Sequence, residues 1–238
     1  TSNFYLLLSL WIGIAIITFC YLFFVTAPYG RHANTNWGPS MDARWGWIVM
    51  ESPSVFLIGG LCIFFRENLS LVSLIFVLIW PFIAEMDGKK MPVFVAFLAF
   101  VFNIFNVLFQ CTWILFIANY ENSWLTSFPF ILGILIFVAG FYINVRSDYM
   151  LINLRKSKGP GYHIPRGFLY EKISAPNYFG EMLEWLGWTI SSLSPSGLAF
   201  FIWTSANLIP RGISNHKWCN ENIENYPQGR KAVIPGII

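Results

Sequence analysis

Apolar residues in this chain run in stretches far longer than a water-soluble core requires. Phe4–Val25, Trp45–Phe65, Pro92–Ala118 and Phe128–Tyr149 carry few or no ionisable side chains. A bilayer core about 30 Å thick is crossed by about 20 such residues at 1.5 Å each. Only 11% of the chain is charged and 56% is hydrophobic, whereas soluble domains carry about 25% charge. That is too little charge to cover a surface facing water, so the expected class is an all-α integral membrane protein. Phe4–Val25 is too long for a signal-peptide core and has no clear cleavage site, and is read as a retained span.

Three shorter runs, Leu69–Ile83, Asn177–Ser192 and Gly197–Ile209, bring the expected spans to seven in a single domain, residues 1–238. Leu193-Ser194-Pro195-Ser196 reads as the turn between the last two. The positive-inside rule tests this count. Arg31, Arg44, Lys89, Lys90, Arg146, Arg155, Lys156, Lys158, Arg166, Lys172, Arg211, Lys217, Arg230 and Lys231 fall on one side, and Arg66 alone falls on the other. The N-terminus is therefore expected outside and the C-terminus in the cytoplasm. A net charge of +3 without a basic stripe argues against nucleic acid. Cys20, Cys62, Cys111 and Cys219 form no metal spacing, and His32, His163 and His216 are scattered, so no metal is expected.

Polar side chains inside spans are costly and point to sites. Glu51 follows Trp47 and Met50 in the second span; it reads either as an interface carboxylate or as a functional one. At 100° per residue Asn144, Asp148 and Arg155 share a stripe about 40° wide on the fifth helix if it continues past Tyr149. Asn177, Glu181 and Glu184 form a second stripe on the sixth. Facing stripes imply a hydrated cavity open to the cytoplasm; the bland alternative is two helices bonding one another. Between them lies a Gly- and Pro-rich loop with Tyr162, His163 and Arg166. Arg155, Lys156 and Lys158 suit phosphates and suit an ordinary cytoplasmic face equally well. No GxGxxG follows a strand, so a dinucleotide here would not sit in a Rossmann fold. Asn103, Asn106 and Gln110 share a face of the fourth span and read as interhelical hydrogen bonders. Aromatic residues, 19% of the chain, are too many for interfacial belts alone, and some are expected to line an apolar cavity.

These residues carry a family resemblance. Gly140-Phe-Tyr-Ile-Asn144-Val-Arg-Ser-Asp148-Tyr-Met-Leu-Ile-Asn-Leu-Arg155 resembles the steroid 5α-reductase signature G-x-x-I-N-x-x-S-D-x-x-L-x-x-L-R. Asn177-Tyr-Phe-Gly180-Glu181-Met-Leu-Glu184-Trp185-Leu-Gly187 resembles the motif that follows it, and Tyr226-Pro-x-x-Arg230-Lys231-Ala-x-Ile-Pro the family's C-terminus. Tyr29-Gly-Arg-His32 and Glu51-Ser-Pro-Ser54 resemble its first cytoplasmic loop and second span. A bacterial or otherwise divergent member is the expectation.

The resemblance implies seven helices and NADPH-dependent reduction of the Δ4 double bond of 3-oxo steroids. It implies that Asn144, Asp148, Arg155, Tyr162, His163, Asn177, Glu181 and Arg211 hold the cofactor, in a half spanning about residues 140–238. Glu51 would polarise the 3-carbonyl, with Trp47, Glu184 and Trp185 on the substrate. The implied location is a multi-pass protein of the inner membrane in a bacterium or the endoplasmic reticulum in a eukaryote. Close alternatives are reductases of another lipid, polyprenal or enoyl-thioester; a membrane methyltransferase and a non-catalytic lipid-binding or transport protein are the other classes.

The chain departs from the family in three places. Asn215 and Cys219 replace a polar His and Tyr, and Lys89 replaces an Arg. The third span lacks a His-Tyr-Phe-His-Arg motif whose Tyr assists the Glu: the chain runs Leu78-Ile79-Trp80-Pro81. Family spacing between Glu51 and Gly88 is longer by about ten residues, roughly the three turns that this short span lacks. The expectation is that the working protein has a further segment between Trp80 and Pro81, carrying that motif.

Overall fold

The computed structural model describes residues 1–26, 32, 37–79, 90–159 and 161–238. The Trp80–Pro81 junction, with the expected extra segment, lies outside them. Among the described residues there are seven α-helices: α1 (Ser2–Phe24), α2 (Ala43–Phe64), α3 (Leu71–Ile79), α4 (Val93–Thr112), α5 (Phe128–Lys158), α6 (Pro176–Ser192) and α7 (Pro195–Asn222). Each overlaps one of the expected apolar runs. Ser2–Phe24, Ala43–Phe64, Val93–Ile117 and Phe128–Lys158 are long and apolar enough to cross a membrane, and the chain is a membrane protein by that measure.

Two compact units are formed, one from Thr1–Leu8 with Ala27–Ser127 and one from Ser9–Thr26 with Phe128–Ile238. In the first, α2 packs along α4. Strands β1 (Ser40–Asp42) and β2 (Lys90–Pro92) pair antiparallel just before these helices, with Met41 opposite Met91. Asp42 caps α2, accepting from Arg44 N at 2.8 Å, so a free helical donor is satisfied where the chain enters the helix. Beyond Thr112, α4 continues as a π-turn over Trp113–Ile117. Side chains of neighbouring segments reach the carbonyls of this wider turn: Asn68 Nδ2 donates to Leu115 O at 3.2 Å, and Ser73 Oγ to Ile114 O at 3.4 Å.

In the second unit α5 and α6 run antiparallel with their backbones in contact. A Cβ placed on Gly140 would lie 2.5 Å from Glu184 N and 2.6 Å from Gly180 O. One on Gly180 would lie 2.5 Å from Asn144 N, and Gly133 meets Gly187 and Ser191 in the same way two turns along. The glycines recur at spacing seven on both helices, which keeps them on one face. Lipid gives helices no hydrophobic reason to associate, and close approach through small residues replaces it. The α5 helix runs past the expected Tyr149 to Lys158 because polar Asn153, Arg155 and Lys156 are good enough helix formers once the chain is out of the apolar layer. The expected turn before α7 is shorter than the sequence suggested. Leu193 takes the left-handed conformation (φ 43°), Ser194 Oγ caps Gly197 N at 3.1 Å, and Pro195 already opens the helix.

The C-terminal tail is tied to this unit. Ser174 N donates to Lys231 O at 2.8 Å and Ala175 N to Ala232 O at 3.0 Å. Val233 is fully buried against Gly212, beside Met182 and Ala232. Below this apolar contact Tyr226 OH donates to Ser174 Oγ at 2.8 Å, and Ser174 Oγ is hydrogen-bonded to His216 Nδ1 at 2.6 Å. Burial first, then the charges of Arg230 and Lys231, hold the His216 imidazole below its usual range.

Two outcomes follow from this packing. Gly140→Ala is expected to cost about 1–3 kcal/mol by overpacking, read as a lower melting temperature in detergent. Gly13→Ala, where a Cβ meets nothing within 4 Å, should leave it unchanged or slightly raised; equal melting for both would remove the backbone contact as a stabilising element. The docked tail, with a depressed His216, binds fewer protons than the free tail. Its stability is therefore complete above the unfolded value of about 6.5 and is lost as pH falls below it. Protection factors of the amides over 226–238, with the intrinsic exchange rate at each pH divided out, should fall between pH 7.5 and pH 5, and His216→Gln should flatten that dependence.

Candidate active site

In the first unit, Trp47 and Glu51 stand one turn apart on α2. Trp47 is half-buried among Ala43, Met91 and Ala96 together with Met41 and Met50, which fixes the indole. Glu51 is exposed among the described residues. The expected interhelical role of Asn103 is present: its Nδ2 donates to Met50 O at 2.6 Å, and its side chain interacts with the Glu51 carboxyl. Asn106 and Gln110 are buried on the same helix.

In the second unit the two expected stripes face each other. Asn144 Nδ2 donates to Glu184 Oε1 at 2.9 Å, and Asn177 Nδ2 donates to Asp148 Oδ1 at 3.0 Å. Each helix thus supplies one amide and one carboxylate, and the two rungs lie directly above the Gly140–Gly180 contact. Glu184 is buried, while Asn144, Asp148, Arg155, Asn177, Glu181 and Arg211 remain half-buried. Arg211, on α7, donates from Nε to Tyr178 OH at 3.0 Å, and Asn215 Nδ2 donates to the same hydroxyl at 3.3 Å. Tyr178 follows Asn177, so this hydroxyl ties the α7 cation to the start of the α6 stripe. Trp185 rests edge-on against Phe200, with ring centroids 4.5 Å apart.

The loop after α5 is shaped by Gly159, Gly161 and Gly167, all at positive φ, where an L side chain would be strained. Tyr162 packs on Trp218 of α7 with centroids 4.5 Å apart. His163 Nε2 donates back to Gly159 O at 3.2 Å, so its imidazole closes the turn. Arg230 is buried and donates from Nη2 to Pro165 O at 2.8 Å, while its guanidinium lies 5.3 Å from the Tyr226 ring centroid.

Tyr170 was missed by sequence reasoning. It is fully buried, with its hydroxyl donating to Ser147 O at 3.2 Å. Its phenol is pushed upward, first by burial and then by Asp148, and it also feels Arg155, Tyr178 and Tyr226. One hydroxyl therefore senses α5, α6 and the tail together. Only its place in an aromatic-bearing loop could have singled it out. Tyr178 stood inside the quoted Asn177–Gly187 stretch as an aromatic residue beside Asn177, and nothing there marked its hydroxyl.

The arrangement combines amide donors, carboxylate acceptors, two arginines and aromatic faces on one wall. Comparison with known proteins supplies the family. A sequence profile described as 3-oxo-5-alpha-steroid 4-dehydrogenase matches residues 89–238, covering every candidate residue of α5 to α7 and stopping short of Trp47 and Glu51. Steroid 5-alpha-reductase DET2 of Gossypium hirsutum is 40% identical over 98% of this chain and 96% of its own length. That alignment spans 251 residues against 238 here, so the cotton protein has residues without a counterpart in this chain. The 3-oxo-5-alpha-steroid 4-dehydrogenase 1 of Bos taurus is 36% identical over 95% of this chain and 93% of its own. The human protein of the same description is 36% identical over 87% and 85%. Matched in this way over nearly all of its length, the chain belongs to the 3-oxo-5-alpha-steroid 4-dehydrogenase, or steroid 5α-reductase, family, oxidoreductases that act on a C=C bond.

Proposed function

We propose that the whole chain works as one seven-span reductase domain that reduces the Δ4 double bond of 3-oxo steroids with NADPH. The observation that carries the cofactor half of this reading is the paired Asn–carboxylate rungs, Asn144–Glu184 and Asp148–Asn177. They offer donors and acceptors of both kinds along one seam, as a ribose and a carboxamide require. Arg155, at the cytoplasmic end of the same α5 face, and Arg211 supply positive charge for phosphates. Tyr162 offers a ring face, and Glu181 and His163 stand beside these groups in sequence. The donor set therefore fits a phosphorylated nicotinamide dinucleotide, which supplies hydride when bound.

The chain's own part is to aim and stabilise. Hydride arriving at an enone carbon drives negative charge onto the distant carbonyl oxygen, and a donor aimed there before reaction lowers the barrier. Glu51 is the donor in this reading, which requires its carboxyl to carry a proton. Trp47 offers an indole face to the rings; Glu184 and Trp185 are the substrate-side residues of α6.

The topology also has a physical support. Because β1 pairs with β2, α2 and α4 start at the same end of their unit. After about 33 Å of α2 the chain must come back before Lys90, which is the work of the third crossing. That return agrees with a cytoplasmic side holding Arg44, Lys89 and Lys90 opposite Arg66, with the N-terminus outside and the C-terminus inside.

Two measurements test the assignment, using testosterone and NADPH with detergent-solubilised protein and mass spectrometry of the product. Glu51→Gln is expected to cut kcat by about 100-fold or more with NADPH affinity little changed; parent-like turnover would take Glu51 out of the chemistry. Arg155→Ala should raise the KM for NADPH by about 10- to 100-fold, the loss of one charge-assisted hydrogen bond, and spare kcat at saturation. An unchanged KM would return Arg155 to the ordinary cytoplasmic face.

A further inference from the structure

Glu51 lies two residues before a proline inside α2, Pro53. Proline has no N–H, so the carbonyl four residues earlier, that of Val49, loses its helical donor, and the ring presses on the same turn. In a bilayer no water replaces the missing donor. Ser52 does so here, its Oγ donating to Val49 O at 2.7 Å. One residue further, the carbonyl of Met50 receives Nδ2 of Asn103 from α4 at 2.6 Å. The same Asn103 side chain interacts with the Glu51 carboxyl and is only 7% exposed. A single amide from a second helix thus bonds the peptide before Glu51 and stands beside the side chain of Glu51 itself.

An amide suits this double grip, because it carries two N–H donors and one acceptor in a rigid plane. The bond to Met50 O pins that plane, leaving its remaining donor and its acceptor in one place beside the carboxyl. Asn106, one turn along α4, is as deeply buried, yet its Nδ2 has no partner among the described residues. The grip is therefore local to Glu51 and is not one rung of a continuous polar seam. Ser52, Pro53 and Asn103 together convert a turn that proline would loosen into one that is held from both sides.

We propose that Asn103 is a positioning residue: it holds Glu51 in the rotamer from which its carboxyl meets the substrate's carbonyl oxygen. A glutamate that the chain leaves uncovered otherwise samples several rotamers, and a donor that must first be found and oriented contributes little to the barrier. The inference rests on the role of Glu51 proposed above.

The test is a double-mutant cycle on kcat, with testosterone and NADPH and the full chain in detergent. Parent, Glu51→Gln, Asn103→Leu and the double variant are compared; leucine keeps the branched outline of asparagine and removes its donors and acceptor, though it is the larger side chain. Asn103→Leu is expected to lower kcat by about 10- to 100-fold, the cost of a misplaced catalytic group, with the KM for NADPH unchanged. On the Glu51→Gln background it should add less than about a twofold loss, because two residues acting through one group are not additive. A loss repeated in full on that background means a structural role and overturns the proposal. Parent-like kcat in Asn103→Leu overturns it too, and leaves Glu51 standing. If Glu51→Gln itself turns over like the parent, the reading of Glu51 falls and the positioning role with it. Should Asn103→Leu fail to fold, Asn103→Gln, which keeps the amide and moves it by one methylene, is read in the same cycle.

Discussion

Two helices in lipid have no hydrophobic reason to touch, because the acyl chains around them are as apolar as their own leucines. Whatever holds α5 to α6 must therefore be backbone proximity and polar bonding. Both are concentrated on one face. Gly133 and Gly140 meet Gly187 and Gly180 backbone to backbone, and directly above them Asn144 bonds Glu184 and Asp148 bonds Asn177. The order matters. Glycines two turns apart set the distance and register, and only at that register do short Asn and Asp side chains reach across. A Cβ on Gly140 or Gly180 would part the helices at the point where the first rung begins. The polar wall of the candidate site is thus a consequence of the glycine seam beneath it.

The loop and tail complete that wall by a different means. They belong to none of the long apolar helices, and their backbone is held by ordinary hydrogen bonds to neighbouring segments. Arg230 reaches Pro165 O, and Ser174 and Ala175 take the carbonyls of Lys231 and Ala232. Tyr226, Ser174 and His216 form a partly buried chain below. This places the loop bearing Tyr162 and His163 under the control of the last residues of the chain. Tyr170, which senses Asp148, Arg155, Tyr178 and Tyr226 at once, lies where these supports converge.

Much of this was legible in the sequence, for reasons that can be named. Apolar runs give the helices, because a bilayer requires about 20 residues of them. The 3.6-residue period gives the stripes, and Asn144, Asp148, Asn177 and Glu184 do face one another as that period demands. What could not be read are contacts that depend on which helix neighbours which. The Tyr178 hydroxyl joins Arg211 and Asn215, yet in sequence it is an aromatic residue beside a glycine. Asn103 was recognisable as a bonding residue on a shared face, but its partner, the carbonyl of Met50, carries no sequence signal at all. The start of α7 shifted for a local reason: Ser194 and Pro195 are a cap and a first-turn residue, and the spacing of apolar residues does not register that.

The two units achieve order with materials of opposite stiffness, and this bears on what each can vary. The α5–α6 seam is glycine on backbone, where one added carbon collides and nothing can yield. Behind Trp47 and Glu51 the first unit packs Met41, Met50 and Met91 around Ala43 and Ala96. Methionine is unbranched and polarizable, and it refills gaps at little cost when a neighbour changes. On the proposed reading the α5–α6 wall takes the cofactor, and it gains from rigidity, since preorganised donors need no reorganisation during reaction. The wall proposed to face an apolar substrate needs only to exclude water and offer surface, and adaptable side chains do this for rings of differing shape. Glu51 is the exception on that soft wall, a single polar group that the same proposal requires to be aimed. It is also the residue beside which the first unit places a rigid amide, Asn103, bonded at 2.6 Å.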